Sequence, residues 1–293
     1  MRISIVTPTY NRAHLLEAAL QSVLAQGWPD FEHIVVDGMS SDGTVELLAK
    51  YPHVRVIREP DSGLYEALNK GIRAATGEVI GHLNSDDEYL PGTLARVAAE
   101  FAEPAVEAVS GGAEICGEDN AVRERFVDAA ELALTFENVT VGGALIPNAR
   151  FFRRSLYDRV GLYVADLRVA ADREFLFRVV QARPKSVVVE EIFYRYRWHA
   201  ESLTFSESPE KEARWRDEYL GLAEKYLDAA GLPAEAYGGA RRWHLRESAQ
   251  GATRALLAGR WAQAREYAAR GMRRNPSWPV MFLRHMGGAL LKR

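Results

Sequence analysis

Apolar and polar positions alternate in blocks along the first ninety residues. Arg2–Thr7 is a short β-rich run, and over Ala13–Ala25 the residues Leu15, Leu16, Ala19, Leu20, Val23 and Leu24 recur at helical spacing. His33–Asp37 is a second apolar strand and ends in an acid. Asp42 stands where a cap is needed and predicts a helix over Thr44–Lys50. Val54–Ile57 reads as a third strand, Leu64–Ala75 as a helix that stops before Gly77, and Val79–Leu83 as a fourth strand. The polar segment Asn84–Ser85–Asp86–Asp87 follows directly. Strands alternating with helices predict an α/β fold with a mostly parallel, doubly wound central sheet and flanking helices. Ligands of such sheets bind beyond the carboxyl ends of the strands. Thr7–Tyr10, Asp37 and Asn84–Asp87 are therefore expected to face one crevice.

The middle of the chain is less regular, with Gly pairs at 111–112 and 142–143. Phe151–Gly161 and Asp172–Gln181 read as helices, Ser186–Phe193 as a β-rich run and Pro209–Ala230 as a longer amphipathic helix. From Arg241 onward three more helices are predicted. The pair around Gly259 has the small-residue spacing of one tetratricopeptide hairpin, but no second copy follows, so a helical appendage is expected rather than a repeat array. The boundaries read as a domain over residues 1–225 and a basic helical region over 226–293.

Charge sharpens that division. The 293 residues carry a net charge of −3. Arg241–Arg293 holds twelve Lys and Arg against two acids, a net of +10, which leaves −13 on the residues before it. The overall balance gives no reason to expect a nucleic-acid partner. Arginines of the tail lie among Trp243, Leu256, Leu257, Trp261, Trp278, Phe282, Leu290 and Leu291. Two readings stay open: a basic amphipathic surface on an anionic membrane, or a bundle that packs its Trp and Leu inward and solvates its arginines. The lone Cys116 rules out an internal disulfide. Ile3–Val6 is too short for a leader, and no run reaches the roughly 18–20 apolar residues of a membrane span. A cytoplasmic protein is expected, peripheral at the inner face of the cell membrane if the tail binds lipid.

The chemistry lies at the strand ends. Asp37 can accept hydrogen bonds from a base or ribose, and Asp86 and Asp87 can divide ribose and metal between them. A hard divalent cation takes carboxylate and phosphate oxygens together. Four segments then bear a likeness in order and spacing. Ser4–Arg12 (SIVTPTYNR) resembles the opening of family-2 glycosyltransferases. Val35–Thr44 (VVDGMSSDGT) is similar to their second strand and following cap, and Glu59–Gly71 (EPDSGLYEALNKG) to the helix before their metal motif. Asn84–Asp87 sits where that family keeps its DXD-type motif. The likeness covers roughly the first two-thirds to three-quarters of the chain.

That resemblance implies a GT-A fold and an inverting transfer of a sugar from a nucleoside diphosphate (UDP, GDP or dTDP) to the hydroxyl of a glycan or lipid-linked acceptor. The setting it implies is the assembly of cell-surface polysaccharide or lipopolysaccharide. Pro8, Thr9 and Tyr10 would line the nucleoside pocket, with Asp37 on base or ribose, Ser85 and Asp86 facing the donor, and Asp61 and Lys70 as further donor contacts. Mn²⁺ or Mg²⁺ would be held by Asp87, with His199 of the Trp198–Ser202 loop as a further ligand. Phe151–Gly161 resembles the acceptor-side helix, and the acid opening the next one, Asp172, would be the general base, with Glu174 as its alternative. Arg173 stands where relatives often carry an aromatic residue. A nucleotidyltransferase or a dinucleotide-binding dehydrogenase would need a Gly-rich loop after the first strand, and Thr7–Arg12 contains no glycine. The alternative that remains is a non-catalytic nucleotide-sugar or glycan binding module that keeps the fold.

Overall fold

The computed structural model describes residues 1–142, 146–199 and 209–290. The chain divides into two compact units, residues 1–205 and 206–293.

In the first unit, nine strands among the described residues form one sheet. They are β1 (Ile3–Thr9), β2 (Phe31–Asp37), β3 (Val54–Arg58), β4 (Val79–His82), β5 (Glu88–Tyr89), β6 (Ala108–Cys116), β7 (Val122–Phe126), β8 (Arg150–Arg153) and β9 (Ser186–Arg197). Their order is β3-β2-β1-β4-β8-β6-β9-β5, with β7 also on β6. β1 to β4 pair in parallel, as the strand–helix alternation predicts, and β6 pairs in parallel with β9. β5, β7 and β8 run against them. β1 is buried along its whole length, so its apolar run serves two faces, as a central parallel strand requires. The main core packs Ile3, Ile5, Leu16, Leu20, Val23, Val35 and Val79 with Phe151, Phe193 and Tyr194.

Two local readings change. Phe151 and Phe152 belong to strand β8 rather than to the following helix, which runs over Arg154–Val160. Both rings are buried, so the segment reads as a continuous apolar run in which strand and helix periods cannot be told apart. Asp42 also does more than cap its own helix. It accepts from the N–H and hydroxyl of Thr44 and from the N–H of Ala13, the first residue of the helix Ala13–Leu24. These bonds, that to the Thr44 hydroxyl foremost, hold its carboxyl below the usual range.

The second unit contains the helices Pro209–Asp228, Ala234–Leu257, Trp261–Arg274 and Trp278–Leu290. Pro209–Asp228, given mostly to the first domain by the sequence boundary at 225, packs instead with this unit. Its Leu220 shares a core with Ala249, Ala252, Ala255, Ala264, Tyr267 and Trp278, and its Arg216 makes a buried ion pair with Glu247 at 2.7 Å.

Candidate functional site

The carboxyl ends of β1, β2 and β4 lie side by side. Thr9 stands opposite Asp37 in the register of β1 and β2, and Gly38 donates to the Thr9 carbonyl at 3.0 Å. Leu83, leaving β4, donates to the Val6 carbonyl at 3.0 Å, which starts the Asn84–Asp87 turn beside them. The three polar strand ends thus share one rim, as the topology predicts.

Pro8 and Thr9 are buried at the end of β1, while Tyr10 is 61% exposed. The Thr9 hydroxyl is buried without a protein partner, an arrangement that costs about 1–3 kcal/mol until something fills it. The Asp37 carboxylate is fully buried; it accepts from the Ser40 N–H at 3.1 Å and from Arg58 Nε at 3.1 Å. Asp61 lies against Gly38: a Cβ on residue 38 would stand 2.7 Å from Asp61 Oδ2. Burial there pushes the Asp61 carboxyl up. Lys70 is turned to its own neighbours, with Glu59 at 3.3 Å and Glu66 at 3.6 Å. These ion pairs account for Lys70 without a ligand.

The two aspartates of the turn stand in different surroundings. Asp87 is 2% exposed and accepts from Tyr194 Oη at 2.7 Å, the Arg197 N–H at 3.0 Å and Asn84 Nδ2 at 3.1 Å. Three donors occupy most of the roughly four lone-pair sites of a carboxylate. Burial, then the charge of Asp86, pushes the Asp87 carboxyl well above the usual range, and the three hydrogen bonds pull it back. Asp86 is 22% exposed, and its Oδ2 lies 3.1 Å from Nε2 of His199. Of the two aspartates it is therefore Asp86 that is accessible and stands against His199, whereas the sequence reading sets Asp87 with His199 on the metal. Ser85 is buried. No cluster of three or more His, Cys, Asp or Glu suited to a metal occurs among the described residues. A cation here would have two protein ligands and would need ligand oxygens besides.

Asp172 sits in the first turn of the helix Ala171–Gln181 and is partly exposed. Glu174 is buried and holds Arg178 with both oxygens, at 2.7 Å in the shorter contact, so it is a structural partner and not a free base. The segment leading to Asp172 is fixed by the helix Leu64–Ala74. Asn69 both donates to and accepts from the backbone of Tyr163, at 2.8 and 2.9 Å, and the Tyr65 hydroxyl donates to the Val169 carbonyl at 3.3 Å. His82, at the end of β4, lies between the hydroxyls of Tyr157 and Tyr163. Burial lowers its pKa to about 4, so it is neutral there.

Tyr194 and Tyr196 carry roles the sequence reading did not assign. The Tyr194 hydroxyl accepts from the Asn84 N–H and from Asn148 Nδ2 while donating to Asp87, which ties the acidic turn to β9. Partial burial, then the charges of Asp87, Asp172 and Asp86, drives the Tyr196 hydroxyl well above its usual pKa. The charges of all three carboxylates are therefore felt at this phenol. The period-2 order Tyr194-Arg195-Tyr196-Arg197 is the one sequence signal for this, since it puts both rings on one face of β9. The alternate arginines pair with acids of neighbouring strands, Arg195 with Glu114 at 2.7 Å and Arg197 with Glu88. They serve the sheet rather than a phosphate. Trp198 is exposed; Ala200, Glu201 and Ser202 of the same loop lie outside the described residues.

An α/β sheet of this order, with acids gathered at its parallel strand ends, has the architecture of the GT-A fold. The sequence model described as Glycosyl transferase family 2 matches residues 4–161, and the chain belongs to that family. A PGL/p-HBAD biosynthesis glycosyltransferase of Mycobacterium bovis is 35% identical over 181 residues, 60% of this chain and 68% of that protein. The glycosyltransferase YwdF of Bacillus subtilis is 30% identical over 203 residues, 67% and 75% of the two chains. Among solved structures, S. aureus TarS 1–349 in complex with UDP-GlcNAc superposes with a TM-score of 0.70 at 18% identity, covering 98% of this chain and 89% of TarS. The mannosyltransferase PcManGT of Pyrobaculum calidifontis, in complex with GDP-Man and Mn²⁺, gives 0.62 at 21% identity, covering 100% and 81%.

Proposed function

We propose that this glycosyltransferase moves a sugar from a nucleoside diphosphate to an acceptor hydroxyl with inversion, in the cytoplasm, in the assembly of a cell-surface polysaccharide or lipopolysaccharide. The observation that carries the reading is the meeting of Thr9, Asp37 and the Asn84–Asp87 turn at the carboxyl ends of the parallel strands β1, β2 and β4. A binding module without catalysis would have no need of Asp172 beside the donor acids. Pro8, Thr9, Tyr10 and Asp37 take the nucleoside, and the unpaired Thr9 hydroxyl is the group a base or ribose would satisfy. Asp61 and Ser85 flank the donor. Lys70 contributes through its ion pairs to the shape of that wall. Asp172 removes the proton of the acceptor hydroxyl as it attacks the anomeric carbon from the face opposite the diphosphate.

A divalent cation fits the donor set. Asp86 and His199 would hold it, and diphosphate oxygens and water would complete its shell. Its chemistry would be to offset the charge that grows on the departing diphosphate. Asp87 anchors the turn that presents Asp86. The UDP-GlcNAc bound by TarS and the GDP-Man and Mn²⁺ bound by PcManGT support the donor class and the metal.

Calorimetric titration with UDP, GDP, dTDP and their sugars, with and without Mn²⁺, tests the reading. Metal-dependent binding of one nucleotide is the expected result, and binding of none would remove the donor-site assignment. A second test concerns Tyr194. Tyr194→Phe strips Asp87 of one donor and leaves the Asn84 N–H and Asn148 amide short of an acceptor. Donor KM should rise about 10–100-fold, the usual cost of losing an outer-shell partner, with a smaller change in kcat. Steady-state kinetics with varied donor read this split, and an unchanged KM would detach Tyr194 from the donor site.

A further inference from the structure

In the second unit, the helix Trp278–Leu290 has one side turned inward, where Trp278, Met281 and Phe282 pack on the helical core. Its other side exposes Val280 (71%) and Leu283 (68%), one helical turn apart, together with Arg284 and Gly287. Two exposed apolar side chains alone mean little. Their setting is what distinguishes them, because Tyr267–Arg293 contains six Lys and Arg and no Asp or Glu.

The preceding helix adds to this face. A Cβ on Gly271 would stand 2.1 Å from the Trp278 indole, so the start of the last helix lies directly on the last turn of Trp261–Arg274. That turn exposes Met272, Arg273 and Arg274. A cavity of about 510 Å³ there is lined by Glu224, Arg270, Arg273 and Arg274. Arg270 is held by Glu224 at 2.9 Å and Arg274 by Asp228 at 2.8 Å, whereas Arg273 donates to the backbone carbonyl of Ala269.

We propose that this face, with Val280 and Leu283 as apolar contacts and Arg273 and Arg284 as headgroup contacts, docks on an anionic membrane surface. The last helix offers apolar side chains flanked by a base and carries no acid of its own, and Glu224 and Asp228 beside the preceding turn are already paired with Arg270 and Arg274, which is what an interface of acyl chains and phosphates selects. A second copy of the chain is a poorer occupant, since a two-fold contact would bring the unpaired Arg273 and Arg284 against their own like charge. No described helix is long and apolar enough to cross a membrane, so the contact is peripheral.

Flotation of the full chain with phosphatidylcholine vesicles, with and without phosphatidylglycerol, tests this without any donor, so its outcome is independent of the sugar-transfer reading. The protein should float with the anionic vesicles and not with the neutral ones. Each of Arg273→Gln and Arg284→Gln should lower the partition about fivefold, and the Val280→Ser/Leu283→Ser pair should lower it with melting unchanged, since both positions are exposed. Absence of flotation, equal flotation on neutral vesicles, or variants that partition like the parent would each overturn the proposal. So would a dimer, seen by sedimentation, that the serine pair dissolves without any vesicle binding.

Discussion

Asp172→Asn should bind donor nucleotide as the parent does and transfer sugar about 10²–10⁴-fold more slowly, the usual contribution of a positioned base. The substitution keeps the size of the side chain and an oxygen to accept the Arg173 N–H, so the first turn of its helix stays intact. What it removes is the ability to take a proton. The neighbouring acid cannot substitute, because Glu174 is buried and locked to Arg178, which also donates to the carbonyls of Val160 and Leu162. Single-turnover transfer beside calorimetric nucleotide binding separates the two functions. Loss of transfer with donor binding kept places Asp172 at the chemical step. Transfer at the parent rate would mean that the proton leaves by another route, and loss of both would make Asp172 a structural residue of the donor site.

The meeting of the strand ends at this site was legible in the sequence because it depends on strand order. Parallel β1, β2 and β4 put their carboxyl ends together whatever their side chains do, so Thr9, Asp37 and Asn84–Asp87 could be gathered before any contact was known. The place of Asp172 at a helix start was legible as well. The partners of these residues were not. Tyr65 and Asn69 sit in a phrase that reads as a helix, and nothing in their spacing tells that they grip the backbone at Tyr163 and Val169. Asn148 meets the Tyr194 hydroxyl, and Tyr194 in turn Asp87, in a sheet where β8 lies between β4 and β6, and β8 itself was hidden in a run of buried apolar residues. The surroundings of Lys70 were not legible either, since nothing in the phrase tells that Glu59 and Glu66 hold it. Adjacent acids are the hardest case, since Asp86 and Asp87 differ in no property but the side of the turn each occupies.

That difference has a large consequence. Asp86→Ala should abolish Mn²⁺-dependent strengthening of nucleotide binding, a loss of about 100-fold or more if removal of a direct ligand exceeds the 10–100-fold cost of an outer-shell partner. Its melting temperature should barely move, because its side chain is partly exposed and its contact to His199 lies near the surface. Asp87→Ala should lose binding as well, but with a clear drop in stability, because Tyr194, the Arg197 N–H and Asn84 would all lose an acceptor in a buried place. Asp87→Asn separates the roles further. It keeps an oxygen for Tyr194 and removes a charge that burial disfavours. It should therefore hold its fold and retain most of the metal response, which Asp86→Asn should not. His199→Ala is expected to follow Asp86→Ala. Nucleotide titrations with and without Mn²⁺ on these variants, each paired with a thermal melt, read the assignment directly. If Asp87→Asn loses the metal response while Asp86→Asn keeps it, the cation belongs to Asp87, and the pairing of Asp86 with His199 is an ordinary surface contact.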